Sequence, residues 1–100
     1  MRIAVPHRTT KDNARRIFER RLSELERQYG HFTSDVEKHW NGDRLDFGFK
    51  AKGFSGKGTV EITDSEVIID GKLPLIAKPF EPRIKSTIER EAETMFSQGP

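Results

Sequence analysis

Three histidines, His7, His31 and His39, are the groups in this 100-residue chain that change charge near neutral pH. His39 and Asp46 become cross-strand neighbours if the segments on either side of Asn41-Gly42-Asp43 pair as a hairpin. That is the arrangement of a base and the carboxylate that orients it. No serine, threonine or cysteine is placed beside the pair to act as nucleophile, so a surface ion pair is expected, worth about 0.5 kcal/mol. The three histidines lack ligand spacing, such as two imidazoles one helical turn apart, and no metal site is expected.

Gly53-Phe54-Ser55-Gly56 begins like a nucleophile elbow, but G-x-S-x-G requires glycine at 57, where Lys57 stands. Lys57-Gly58-Thr59 has three letters of a phosphate-binding loop and then a strand pattern where a helix must follow. No cofactor and no catalytic residue is expected, hence no enzyme.

Two other groupings suit binding. Arg15, Arg16, Arg20, Arg21 and Arg27 crowd one helix, and Lys50, Lys52 and Lys57 surround Phe54, a candidate basic patch for phosphates with an aromatic to stack on a base. Glu19, Glu24 and Glu26 dilute the helix charge, and the aromatics that follow Lys-Gly-Phe in RNA-recognition strands are missing, so a solvated amphipathic face is expected. Phe54, Leu73, Leu75, Ile76 and Phe80, set around Pro74 and Pro79, form a candidate interaction surface. Closure of the core between sheet and second helix is the simpler reading of the same residues. A polar pocket between helix and sheet containing His7 is a third candidate, for a small ligand.

The elements that must position these groups are legible in the periodicity. Ile3 and Val5 alternate up to Pro6, which predicts an edge strand. Thr9 with Asp12 predicts a helix start, and Ala14, Ile17, Phe18, Leu22, Leu25 and Tyr29 make one apolar stripe ending at Gly30, a C-cap position. From 35 to 73 the period falls to 2. A loop over 41–44 sets Trp40 opposite Leu45 and Val36 opposite Phe49. A turn at Asp64-Ser65 sets Ile62 opposite Val67 and Val60 opposite Ile69. The glycine-rich 52–58 segment reads as a loop or a bulged strand start. A second helix begins near Pro82, with Ile84, Ile88, Ala92, Met95 and Phe96 as its stripe and a frayed tail over 98–100.

The expected fold is therefore a single α+β domain over 1–100, in the order β-α-β-β-β-β-α. Two helices pack on one face of an antiparallel sheet. Its other face carries Glu37, His39, Arg44, Asp46, Lys50, Thr59, Glu61 and Asp70, with Ile68 as the apolar exception.

Composition narrows the class. Hydrophobic residues are 33% and charged ones 34% of the chain, enough for one thin core. No apolar run approaches a membrane span, and Met1–Pro6 lacks the long apolar region of a signal peptide. Absence of cysteine excludes disulfides, thiol nucleophiles and thiolate zinc sites, and a cytoplasmic address is expected by default. A net charge of +2 names no partner.

Together these landmarks resemble one family, the small polyhydroxyalkanoic acid system proteins of proteobacteria. The resemblance rests on His7 after the first strand, Ala14-Arg15-Arg16 opening the helix, and Leu22, Leu25 and Tyr29 closing it. It continues through Trp40-Asn41-Gly42-Asp43, Leu45, Phe47, the Gly53–Gly58 segment, Leu73-Pro74 and Pro79-Phe80 before Ile84. It implies an association with storage-polyester metabolism and brings no catalytic residues. A polyester synthase needs a nucleophilic cysteine and a depolymerase needs the elbow that fails above. The expected role is therefore accessory: binding to a polyester granule or to a granule-associated protein.

Overall fold

Alternation and stripe periodicity resolve as expected into five strands and two long helices. In a computed structural model, which describes residues 1–51 and 53–97, these are β1 (Arg2–Pro6), α1 (Lys11–Tyr29), β2 (Ser34–Asn41), β3 (Arg44–Ala51), β4 (Phe54–Ile62), β5 (Glu66–Lys72) and α2 (Glu81–Ser97). A 3₁₀ helix over Leu75–Phe80, not anticipated from the sequence, leads into α2. The sheet is antiparallel in the order β1-β5-β4-β3-β2, so β1 is an edge as Pro6 requires, and β2 is the other.

Several local expectations are corrected. The N-cap of α1 is Thr10, whose hydroxyl accepts from the Asn13 N–H at 3.1 Å; the Thr9 hydroxyl instead accepts from the Asn13 side-chain amide. Gly30 is the C-cap but keeps right-handed angles, so its freedom to go left-handed is unused. Asn41 pairs with Arg44, which shrinks the first hairpin loop to Gly42-Asp43 without changing the Trp40–Leu45 register. Val36 does not pair regularly with Phe49, because the register shifts between Ser34 and Glu37, where Asp35 has φ 51°. Of the two readings of the glycine-rich segment, the strand start holds but without a bulge: Phe54 to Gly58 pair regularly with β3. The second hairpin is as expected, with Ile62 opposite Val67 and Val60 opposite Ile69.

Ile3, Val5, Leu45, Val60, Ile62 and Val67 project from one sheet face into a core closed by Ala14 and Phe18 of α1 and Ala92 and Phe96 of α2. The helices run antiparallel and are bridged midway by Arg21, which pairs with Glu91 across the gap and with Glu24 on its own helix. α1 starts beside the two hairpin turns: Lys11 reaches Asp43 (3.1 Å) and Asp64 (3.7 Å), and Arg15 donates to the Gly42 carbonyl while lying over the Trp40 ring. This end of the sheet is called proximal here. The helices run the length of the sheet but pack over β1 and β4, so β2, the far edge strand, is exposed along nearly its full length.

The hydrogen bond to Asp43, aided by the charges of Asp43 and Asp64, raises the Lys11 pKa above its ordinary 10.5. A raised pKa stabilises the fold below the unfolded-state value and ceases to do so as pH climbs through the folded one. Stability measured by urea melts is accordingly expected to fall above about pH 10.5 in the wild type, and less steeply in Lys11→Met. Identical slopes in the two proteins would show that the bridge is inert.

Candidate functional site

The structure separates the three histidines. His7 is 1% exposed, and its ring nitrogens are both engaged by backbone: Nδ1 accepts from the Thr9 N–H at 3.2 Å, and Nε2 donates to the Thr63 carbonyl at 2.8 Å. The partners thus assign the Nε2–H tautomer. Phe96 lies 6.3 Å from the ring. A cavity of about 430 Å³ does adjoin His7, lined by Arg8, Ile17, Glu93 and Phe96 among others. A hollow thus lies where the third candidate put a ligand pocket, but the imidazole has no free nitrogen to offer it.

His39 opposes Asp46 as expected, in a row that crosses the sheet as His39, Asp46, Thr59, Asp70 and Arg2. Thr59 supplies a hydroxyl beside Asp46, on the side away from His39. Two strand spacings, about 10 Å, separate that hydroxyl's strand from the imidazole's, too far for a base to take its proton. Asp46 is instead 3.4 Å from Arg44. His31 is exposed against Phe32. Among the described residues no group of three histidines or carboxylates is placed to hold a metal.

The candidate basic patch is dispersed. Arg15, Arg16 and Arg20 belong to α1, on the core side of the sheet, with Arg15 committed to Glu19, Gly42 and Trp40. Lys50 and Lys57 alternate out of phase with Leu45 and Val60 and so face the opposite side, Lys50 beside Asp35 at 3.5 Å. Lys52 lies outside the described residues. That opposite face is polar as expected, with a shallow hollow of about 540 Å³ over Gly48.

The apolar candidates behave differently from the core-closing reading. Leu75 is 86% exposed, Ile76 74%, Phe80 59% and Phe54 40%, while Leu73 is half-buried. Pro74 and Pro79 hold the 3₁₀ turn that carries three of them away from the sheet. Their location follows from the register. Lys72 ends β5 opposite Lys57, so the chain after it leaves the sheet at the end where β4 begins at Phe54. β2 also begins there, Ser34 facing Lys50, and α1, which starts at the proximal end, finishes there at Tyr29. The remaining exposed large apolar residues, Tyr29, Phe32 and Val36, thus share this distal end with Phe54, Leu75, Ile76 and Phe80.

Sequence reasoning placed Tyr29 and Val36 in the core and did not single out Phe32. Periodicity reports which face a side chain takes and not whether anything covers it. The glycines of β4 deepen the same end. Gly56 and Gly58 lie opposite Phe49 and Phe47, and a Cβ at either would stand 2.7 Å from the tip of the facing ring. The rings therefore lie down across β4, and an apolar groove of about 320 Å³ opens between them and Leu22, Leu25 and Tyr29 of α1.

No helix among the described residues is long and apolar enough to cross a membrane. Comparison with curated proteins and with solved structures finds no match. Residues 1–96 match the family described as "putative polyhydroxyalkanoic acid system protein". With nearly its whole length matched, the chain belongs to the polyhydroxyalkanoic acid system protein family.

Proposed function

We propose that the protein is a non-enzymatic, cytoplasmic accessory of the storage-polyester system that attaches to the granule surface through its distal end. The observation that carries this reading is the collection of every exposed large apolar side chain among the described residues at that end. Exposed apolar side chains gathered at one end of a small domain mark a contact site. Covering Leu75, Ile76 and Phe80 gives on the order of 5 kcal/mol before the cost of association is deducted. A binding role is further supported by the histidines: His7 is committed to backbone, and His39 has no hydroxyl within reach.

Purified protein sedimented with washed, lipid-free polyester particles tests the reading. The wild type is expected in the pellet, and the double substitution Leu75→Ser with Ile76→Ser is expected to bind at least about tenfold more weakly. Both positions are exposed, so the fold survives the change. Glu93→Gln, at the proximal end, is expected to bind as the wild type. Wild-type protein left in the supernatant, or indifference to the double substitution, overturns the proposal.

A further inference from the structure

A neutral polyester explains the apolar side chains of the distal end but not the charges set around them. Leu75, Ile76 and Phe80 stand in a segment, residues 72–85, whose cations are Lys72, Lys78, Arg83 and Lys85 and whose one carboxylate is Glu81. Glu81 is already occupied: its carboxylate lies 3.4 Å from the Met1 ammonium and 3.8 Å from Lys78. Among the described residues no carboxylate lies within ion-pair distance of Lys72, Arg83 or Lys85, and all three are exposed. The segment is also stiff, with Pro74 at the start of the 3₁₀ turn and Pro79 inside it. Its apolar side chains are therefore held out from the body before any contact is made, and little ordering remains to be done on docking.

A rigid apolar knuckle flanked by four cations, three of them unpaired, has the chemistry of an interfacial anchor. The apolar tips enter an acyl layer while long lysine and arginine stems keep their charges at the level of the headgroups. Anionic headgroups attract such a collar, and zwitterionic ones do not. We infer that the 72–85 knuckle docks on an anionic lipid monolayer, through Leu75, Ile76 and Phe80 in the acyl region and the four cations at the headgroups. The inference rests on the granule-attachment reading for its biological setting, and it assigns the cations a partner that the polymer lacks. Charge complementarity selects this occupant over a second copy of the chain, whose own collar would repel it.

Co-sedimentation with vesicles tests it. Vesicles containing phosphatidylglycerol are expected to take the protein down, and phosphatidylcholine vesicles to do so at least about tenfold less well. Lys78→Gln with Lys85→Gln is expected to weaken binding to the anionic vesicles about tenfold or more, and Leu75→Ser with Ile76→Ser to weaken it on its own account. Rising salt reproduces the effect of neutralising the lysines. Equal binding to both vesicle types, or an unaltered affinity in the lysine variant with its circular dichroism unchanged, overturns the inference. Sedimentation with lipid-free polymer but not with anionic vesicles also overturns it while leaving granule attachment standing. Binding to anionic vesicles without binding to polymer supports the inference and removes the attachment reading.

Discussion

Replacing Gly58 with alanine is expected to destabilise the fold by about 3 kcal/mol, a drop in Tm of about 12 °C or more for a domain of this size. The new Cβ would stand 2.6 Å from the Asp70 carbonyl oxygen, 3.1 Å from the Gly71 Cα and 2.7 Å from the Phe47 ring. Two of these neighbours are backbone of β5, and β5 is held on both sides by β4 and β1, so relief requires strands to part. Gly56→Ala provides the comparison. The three atoms nearest its Cβ all belong to the Phe49 ring, two of them at 2.7 Å and 2.8 Å, and Phe49 is half-buried at the open distal end. That ring can turn outward, for about 1 kcal/mol. Thermal unfolding of the two variants side by side checks the argument. Equal losses would mean that β4 and β5 shift apart more readily than their pairing implies. Gly56→Ala carries a second consequence: an outward Phe49 closes or reshapes the groove beside Leu22 and Tyr29 without a large loss of stability.

The His7→Ala substitution is expected to cost about 3 kcal/mol as well, for a different reason. It removes the hydrogen bond to the Thr63 carbonyl that ties the loop after β1 to the β4–β5 turn, and the one from the Thr9 N–H that fixes the loop itself. It also enlarges the cavity beside Phe96 and removes the ring that lies against it. His7→Phe separates the two effects. It keeps most of the volume but strands the Thr9 and Thr63 groups, so about 2 kcal/mol is expected from polar loss alone. Urea unfolding of both variants gives the comparison. If His7→Phe proves as stable as the wild type, the imidazole is filler, and its hydrogen bonds contribute nothing net. Neither variant is expected to alter binding at the distal end, which lies at the other end of α1.

Much of the fold was legible because its signals are local. The Val60-Glu61-Ile62 and Val67-Ile68-Ile69 alternation across Asp64-Ser65 states strand, turn and register together, and the structure reproduces it residue for residue. The α1 stripe is likewise explicit from Ala14 to Leu25. Errors fell where two readings share the same letters. Thr9 and Thr10 are both capping residues, and only the Asn13 geometry separates them. Gly53 to Gly58 reads as a loop or a bulged strand start by composition, yet Gly56 and Gly58 are regularly paired strand residues whose missing side chains make room for aromatic rings from the neighbouring strand. That is a nonlocal reason for glycine, and no window of sequence contains it.

The sequence by itself determined the α+β class, the element order, the second hairpin's register and the polar outer face, because periodicity and turn chemistry are written in adjacent residues, and its resemblance pointed to the family. It also nominated Phe54, Leu73, Leu75, Ile76 and Phe80 as a surface. Only the tertiary structure decided which apolar residues are covered. Tyr29 and Val36 belong to regular apolar patterns and are nonetheless exposed, since the two helices pack over β1 and β4 and leave the β2 edge of the sheet bare. His7, legible only as a titratable group, became a buried connector once Thr9 and Thr63 were brought to its two nitrogens. Burial is a property of how layers overlap, and overlap depends on helix length, tilt and strand order at once, none of which a single stretch of chain encodes.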